Sequence, residues 1–383
     1  MEPRRRGSGP LPRADPAGGG LLPELPGVLT GDQVRDTVAW IAGQQERDGA
    51  LPWSLEHQLD PWDSVEAAMA LDVGGEHDRA AAAYRWLAAR QRADGSWASE
   101  YRGGVATAPA AESNHAGYLA VGAWHSWLAS GDESLLLELW PAVRRGLDLV
   151  TRMQLDGGAI GWALRPDGTP DGTALLTGNA SLFQALRCGI ALAGLTGEPQ
   201  PDWELAVADL GAALRTRPAE FADRSRFSMD WYYPVLAGAV SGPAAEKRLA
   251  EDWDRFVVPG LGIRCVADRP WVTGAETCEL ALALAAAGRI DAGIEQVAAM
   301  QHLRHDDGSY WTGYVYPDTT RWPVERTTWT AGAVVLAADA LSASTAAFGL
   351  FREPLALPPA GMPADVAAEP TRWLPGTADP VLP

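Results

Sequence analysis

Cysteine is nearly absent: Cys188, Cys265 and Cys278 are the only three, odd in number, far apart and set mainly among small and apolar residues. That spacing excludes a disulfide framework and a cysteine-based zinc module, and it reads as reduced core thiols of a cytoplasmic protein. Long apolar runs are missing too, so no bilayer-spanning helix is expected. Arg4, Arg5 and Arg6 lead into GSGPLPRADPAGGG rather than into an apolar segment, so no twin-arginine export signal is expected either. Positive charge is in deficit, with 31 Lys and Arg against 49 Asp and Glu and a net charge of −18. A phosphate-backbone partner needs a clustered cationic face, which excludes nucleic acid. Phenylalanine is scarce as well, six against 17 tryptophans. An indole carries a polar N–H on an apolar ring, so the imbalance suits a wet, aromatic-lined pocket.

What is present is helical periodicity. Residues 1–27 and 344–383 are rich in Pro, Gly and Ala without a period and read as loose tails around one domain at 28–343. Within it the pattern predicts twelve helices, at 30–45, 60–73, 76–91, 113–130, 132–154, 177–196, 202–216, 230–241, 243–257, 273–288, 290–303 and 327–342, and no strand. TGDQ at Thr30 and TGAE at Thr273 fit the capping box, and LDPW places Asp60 as N-cap with Pro61 at the first helical position.

The helices alternate in character. HDRAAAAYRWLAARQ scatters its charges, as a helix with one wet face does; NHAGYLAVGAWHSWLA keeps polar groups in its first turns and is then apolar all round, as an enclosed helix must be. Enclosed helices begin near 61, 113, 178, 230, 274 and 327, so a hairpin recurs every 45–65 residues or so. Six hairpins closing into a ring, an all-α (α/α)6 toroid, bury every inner helix.

A second repeat marks the joints: Gln44 with Asp48-Gly49 and Trp53, Gln91 with Asp94-Gly95 and Trp97, Gln154 with Asp156-Gly157 and Trp162, Gln301 with Asp307-Gly308 and Trp311. Gln can satisfy the open carbonyls of a helix end and Gly the left-handed turn. YRWLAARQRADGSW and RGLDLVTRMQLDGG resemble the QW repeat of terpenoid cyclases and prenyltransferase subunits, whose fold is an α/α toroid. The chain over about 28–342 also resembles an actinobacterial family labelled prenyltransferase-like, and its hairpin count resembles the six-hairpin glycosidases. Such a repeat specifies fold more than chemistry.

In this ring all inner helices start at one end, so their polar first turns line one mouth. Candidate catalytic residues are Asp63, Asp230 and Glu276. Candidate substrate-binding residues are Asp60, Trp62, Glu66, His115, Asn179, Trp231, Tyr232, Glu279 and Arg326, with Trp53, Trp97, Trp271, Trp311 and Tyr314 as stacking platforms. Several carboxylates also stand where a helix start wants negative charge, worth about 0.3–2 kcal/mol each. Glu66 and Glu279 lie a turn deeper, where an unpaired charge is costly; an ion pair with Arg326 or Arg187 is the structural alternative. Hairpins one and four face each other across the ring, with axes roughly 16–20 Å apart for neighbours at about 8–10 Å. Asp63 and Asp230 could then span the roughly 6.5–9.5 Å of an inverting glycosidase.

The resemblance to terpenoid enzymes carries over poorly by residue. SMDWYYP offers Asp230 as a lone carboxylate in place of a DxDD acid, Asp306-Asp307 sits in a repeat turn, and no Cys lies at ligand spacing from a His. A carbocation wants a dry wall, whereas carboxylates and amides suit sugars. The expected function is acid/base cleavage of a glycosidic substrate in an acidic, Trp-lined mouth, with a small-molecule or oligosaccharide partner and no metal or cofactor. The alternatives are a cyclase- or prenyltransferase-like enzyme acting on an isoprenoid, and a non-catalytic glycan- or protein-binding toroid.

Overall fold

The computed structural model describes residues 22–353 apart from 56 and 166. Six helical hairpins follow one another, each an outer helix then an inner one. They are α1 (Gly31–Gln44) with α2 (Pro61–Val73), α3 (His77–Arg90) with α4 (Ser113–Ser130), α5 (Glu133–Arg152) with α6 (Leu176–Thr196), α7 (Pro201–Thr216) with α8 (Ser228–Leu236), α9 (Gly242–Glu251) and α10 (Trp253–Phe256) with α11 (Gly274–Ala286), and α12 (Ile290–Ala299) with α13 (Thr328–Ser342). The inner helices pack in the order α2, α4, α6, α8, α11, α13 and back to α2. This is the expected (α/α)6 toroid. Among the described residues no single helix is long and apolar enough to cross a membrane.

Glycine sets how closely the inner helices approach. A Cβ at Gly332 of α13 would stand 3.3 Å from the Glu66 carbonyl of α2, and one at Gly122 of α4 would meet Val65 of α2 at 2.7 Å. Beyond their first turns the inner helices are mostly buried and rich in Ala, Leu and Val, so the barrel centre is filled rather than hollow.

The joints close the outer ring. Gly49, Gly95, Gly158 and Gly308 all have positive φ, and a Cβ on each would strike the backbone of the next outer helix at Ala82, Arg145, Asp209 and Asp36. The last docks the sixth hairpin on the first, where Thr37 Oγ1 donates to the Gly308 carbonyl at 2.9 Å. Three repeat assignments need correction. Gln45, not Gln44, bridges the Gly49 and Arg79 carbonyls at 3.2 and 2.8 Å, as Gln91 bridges Gly95 and Ala142, and Gln154 bridges Gly158 and Ala206. In hairpin three the left-handed glycine is Gly158, one past the expected Gly157. Counting four residues back from Gly308 gives Arg304, so the fourth joint lacks the bridging amide; Gln301 donates to the Val297 carbonyl and accepts from Tyr310 instead.

The expectation of no strand fails at the rim. Inner-to-outer turns are short, but outer-to-inner connections are long and satisfy their backbone by pairing: β1 (Glu100–Arg102) with β2 (Val105–Ala108), β3 (Ala111–Glu112) with β4 (Ala163–Leu164), and a five-stranded antiparallel sheet of β5 (Val257–Val258), β6 (Gly262–Arg264), β7 (Trp271–Thr273), β8 (Gly313–Val315) and β9 (Thr320–Arg321). These strands are two to four residues long, too short for a period-2 pattern to be read in sequence. The folded chain also passes both expected boundaries. Leu25 pairs with Leu29, and beyond residue 343 α14 (Gly349–Arg352) buries Leu350 and Phe351. The remaining tail residues lie outside those described.

Candidate active site

All six inner helices start at the same end, and a cavity of about 320 Å³ opens among the first turns of five of them. Its wall takes Asp60, Trp62 and Asp63 from the start of α2, Asn114 and His115 from α4, Thr177 and Gly178 from α6, Met229 and Asp230 from α8, and Trp329 from α13. The preceding connections add Trp53, Trp162, Leu175, Arg224 and Phe227. The polar opening turns therefore face one shared space.

One side is acidic. Asp60 caps α2 by accepting from the Asp63 N–H at 3.0 Å, while its other oxygen accepts from Trp53 Nε1 at 2.8 Å, fixing that indole over the mouth. His115 Nε2 stands 3.9 Å from both Asp60 Oδ1 and Glu112 Oε2. Asp63 has its carboxyl pushed well above the usual carboxylate range, first by burial and then by the negative charges of Asp60 and Glu66. Such a group keeps a proton into the range where a general acid must hold one.

Beneath the mouth lie two buried glutamates. Glu66 Oε1 accepts from Trp62 Nε1 at 2.7 Å and from Tyr118 Oη at 2.8 Å, and burial still pushes the carboxyl up to about 7. Glu279, 1% exposed, accepts from Tyr232 and is raised by burial and by Glu66. The Trp329 indole N–H makes no well-formed hydrogen bond, yet lies near enough to both carboxyls to favour their charged forms. Trp62 packs against Tyr118 and Tyr233, with centroids 4.9 and 5.5 Å apart. This layer is a rigid floor whose like charges cannot both persist. Arg326 is spent elsewhere, on Asp307 and Ser309.

The opposite wall is α8. Asp230 Oδ1 accepts from the Thr177 N–H at 3.2 Å and from Thr177 Oγ1 at 2.5 Å; burial raises its carboxyl while these bonds and Arg224 and Arg248 restrain the rise. Glu276 occupies the third position of α11, as Asp63 does in α2, and each has a buried glutamate three residues on. Glu276 is 5% exposed and does not line the cavity itself. Its neighbour Cys265, whose carbonyl accepts from Ser228 at 3.0 Å, places it behind the first turn of α8. The expected capping box of Thr273 does not form, because β7 pairs Thr273 with Gly313 and the side chain makes no cap bond. Glu276 is thereby left untied to the helix start, with the Cys265 thiol beside it and Tyr232 and Glu279 near enough to feel its charge.

Other expected binding residues are placed elsewhere. Asn179 spends its amide on the Ile160 N–H and carbonyl and on the Leu175 carbonyl, clamping a joint to α6. Trp97 donates to the Leu87 carbonyl and is 1% exposed; Trp231 donates to the Arg248 carbonyl and stacks on Phe256, outside this cavity. Tyr232 is wholly buried. Arg326 bonds Asp307 at 2.6 Å and Ser309 at 2.7 Å, bracing the last joint over Trp311. Trp271 donates to the Trp322 carbonyl, and Tyr314 packs on His302; both belong to the rim sheet. Sequence reasoning missed Thr177, Arg224, Phe227, Met229 and Leu175 in the wall, and Tyr118 and Tyr233 beneath. Tyr118 sits five residues into α4, at the depth of Glu66 and Glu279 in their helices, and that shared depth was the available signal.

Solved structures share this ring. A wild-type glycosidase superposes with a TM-score of 0.63 at 15% identity, covering 84% of this chain and 97% of its own. A rhamnosidase from Klebsiella oxytoca gives 0.59 at 16%, covering 84% and 65%, and a D-mannose isomerase gives 0.63 at 9%, covering 80% and 96%. No family model matches the chain. The MMP endo-(1,4)-3-O-methyl-alpha-D-mannosidase of Mycolicibacterium hassiacum is 54% identical over 331 residues, which is 86% of this chain and 92% of that enzyme. At that identity over nearly the full length of both proteins, the chain belongs to the family of this mannosidase and is a carbohydrate-active enzyme on a six-hairpin glycosidase ring.

Proposed function

We propose that the protein is an endo-acting glycoside hydrolase that cleaves internal α-(1,4) bonds of a 3-O-methylmannose polymer by an inverting acid/base displacement. The observation that carries this reading is the kinship with a mannosidase of that specificity, joined to a cavity that pairs carboxyls with an apolar wall. Trp53, Trp162 and Trp329 offer faces on which a sugar ring can stack, and Leu175, Phe227 and Met229 supply apolar contact of the kind a methoxy group prefers to water.

In this reading Asp63 is the acid, protonating the glycosidic oxygen as the bond to the anomeric carbon breaks. A water attacks that carbon from the other face and gives its proton to Glu276, which holds in α11 the position that Asp63 holds in α2. Asp230, already held by two donors from Thr177, takes hydrogen bonds from sugar hydroxyls instead. The test is mass spectrometry of products from α-(1,4)-linked 3-O-methylmannose oligosaccharides. Internal fragments from the wild type, their loss in Asp63→Asn and Glu276→Gln, and recovery of Glu276→Gln alone by added azide or formate are expected. Rescue of Asp230→Asn in its place would move the base to α8, and an uncut oligosaccharide would end the reading.

A further inference from the structure

A second cavity of about 350 Å³ lies directly behind the first, between the start of α6, the end of α7, the 218–225 connection and α9. Arg224 and Asp230 line both spaces, so these two side chains form the partition. The Arg224 guanidinium rests on Phe227 at 4.5 Å and makes no hydrogen bond among the described residues, leaving its donors free toward either side. Asp230 shows one oxygen to Thr177, and its other makes no hydrogen bond among the described residues. Around the far side, Ser225, Glu251 and Asp252 offer polar atoms above Trp231 and Phe221.

An enzyme that cuts inside a chain must hold sugar on both sides of the bond, and one cavity at the acid cannot do so alone. We infer that the second cavity is a further sugar-binding site that takes the continuation of the same α-linked mannose chain, with Arg224 and Asp230 bonding hydroxyls of the units on either side of the partition. The inference rests on the glycan-cleaving reading above. The mix of one free guanidinium, carboxylates and aromatic edges is the donor, acceptor and stacking set that a polyhydroxylated ring requires. Burial of Asp230 and the backbone bonds from Arg248 to the Asp230 and Trp231 carbonyls keep the partition fixed rather than collapsible.

The test fills the second cavity without touching the first. Ser225→Trp and, independently, Ala222→Trp each place an indole there from the surface connection. Cleavage of an α-(1,4)-linked 3-O-methylmannose ladder is followed by kcat/KM against chain length, with binding of the same ladder to Asp63→Asn and to Asp63→Asn combined with each filling change. The expected result is at least a tenfold loss of kcat/KM and of affinity for the longest oligosaccharides, with the shortest cleaved one within twofold of wild type. Equal loss at all lengths, or full retention of the length dependence by both stably folded variants, overturns the inference. A ladder that binds with this pattern yet is never cut overturns the proposed reaction and leaves the second site standing; a ladder that does not bind overturns both.

Discussion

Tyr118 Oη and Trp62 Nε1 donate to the same oxygen of Glu66, at 2.8 and 2.7 Å. Burial nonetheless raises that carboxyl from 4.5 to about 7, so the folded protein binds this proton more tightly than the unfolded chain does. Stability from it is complete below about pH 4.5 and is lost as pH rises through 7, about 3 kcal/mol in all. Glu66→Gln keeps an acceptor for both donors and cannot titrate. Urea unfolding at about pH 5 and pH 8 should show the wild type losing roughly 2.5 kcal/mol relative to the variant; parallel pH curves would refute the raised carboxyl.

Asp63 is raised partly by the charge of Asp60. As the acid it must be protonated, so turnover falls on the alkaline side as its proton leaves. Asp60→Asn keeps one oxygen to cap the Asp63 N–H and removes the charge, at the loss of the bond from Trp53 Nε1, which then faces an amide NH2. The alkaline limb of kcat/KM should move toward lower pH, and its movement the other way, or its staying fixed, would show that Asp63 is not the titrating acid.

Leu175, Phe227 and Met229 make one cavity wall apolar. A methyl group buried there is worth about 1 kcal/mol, or roughly fivefold in kcat/KM, with up to tenfold or more for a close fit. Matched oligosaccharides with and without the 3-O-methyl group should differ by that factor, and Met229→Gln should bring them within about twofold. Undiminished preference in the variant would place methyl recognition elsewhere.

Gly308 has φ +85 and no room for a Cβ, which would fall 2.6 Å from the Asp36 carbonyl carbon. Gly168 has φ +81 but nothing within 4 Å. Gly308→Ala should therefore destabilise by about 3 kcal/mol or more, against about 1–2 kcal/mol of backbone strain alone in Gly168→Ala. Calorimetric unfolding of the two variants makes the comparison, and equal losses would deny Gly308 its role in closing the ring.

The ring was legible because its two signals are local: enclosed helices that are apolar beyond their first turn, and joints marked by Gln and Asp-Gly. The site was legible where a polar residue stands at the start of an inner helix, as Asp60, Asp63 and Asp230 do, and at Trp53 in the connection before α2. Asn179 and Trp97 have the same outward signature but are consumed by backbone groups of the joints, a fate decided by partners 19 and 10 residues away. The five-stranded sheet eluded the sequence because its strands are only two or three residues long, and because the β7–β8 pairing that joins its two parts comes from different hairpins. Met229 and Phe227 carry no mark in sequence that separates them from core residues; only the ring's curvature turns them toward the cavity.

Thr37 and Gly308 are 271 positions apart and share one hydrogen bond that seals the circle. A chain emerging residue by residue thus cannot enclose its substrate space until nearly all of it has been made, because Trp329 arrives with the final inner helix. Premature termination anywhere upstream leaves an open arc with exposed alanine and leucine surfaces in place of a working enzyme, and the same circularity makes the first hairpin as dependent on the sixth as on the second.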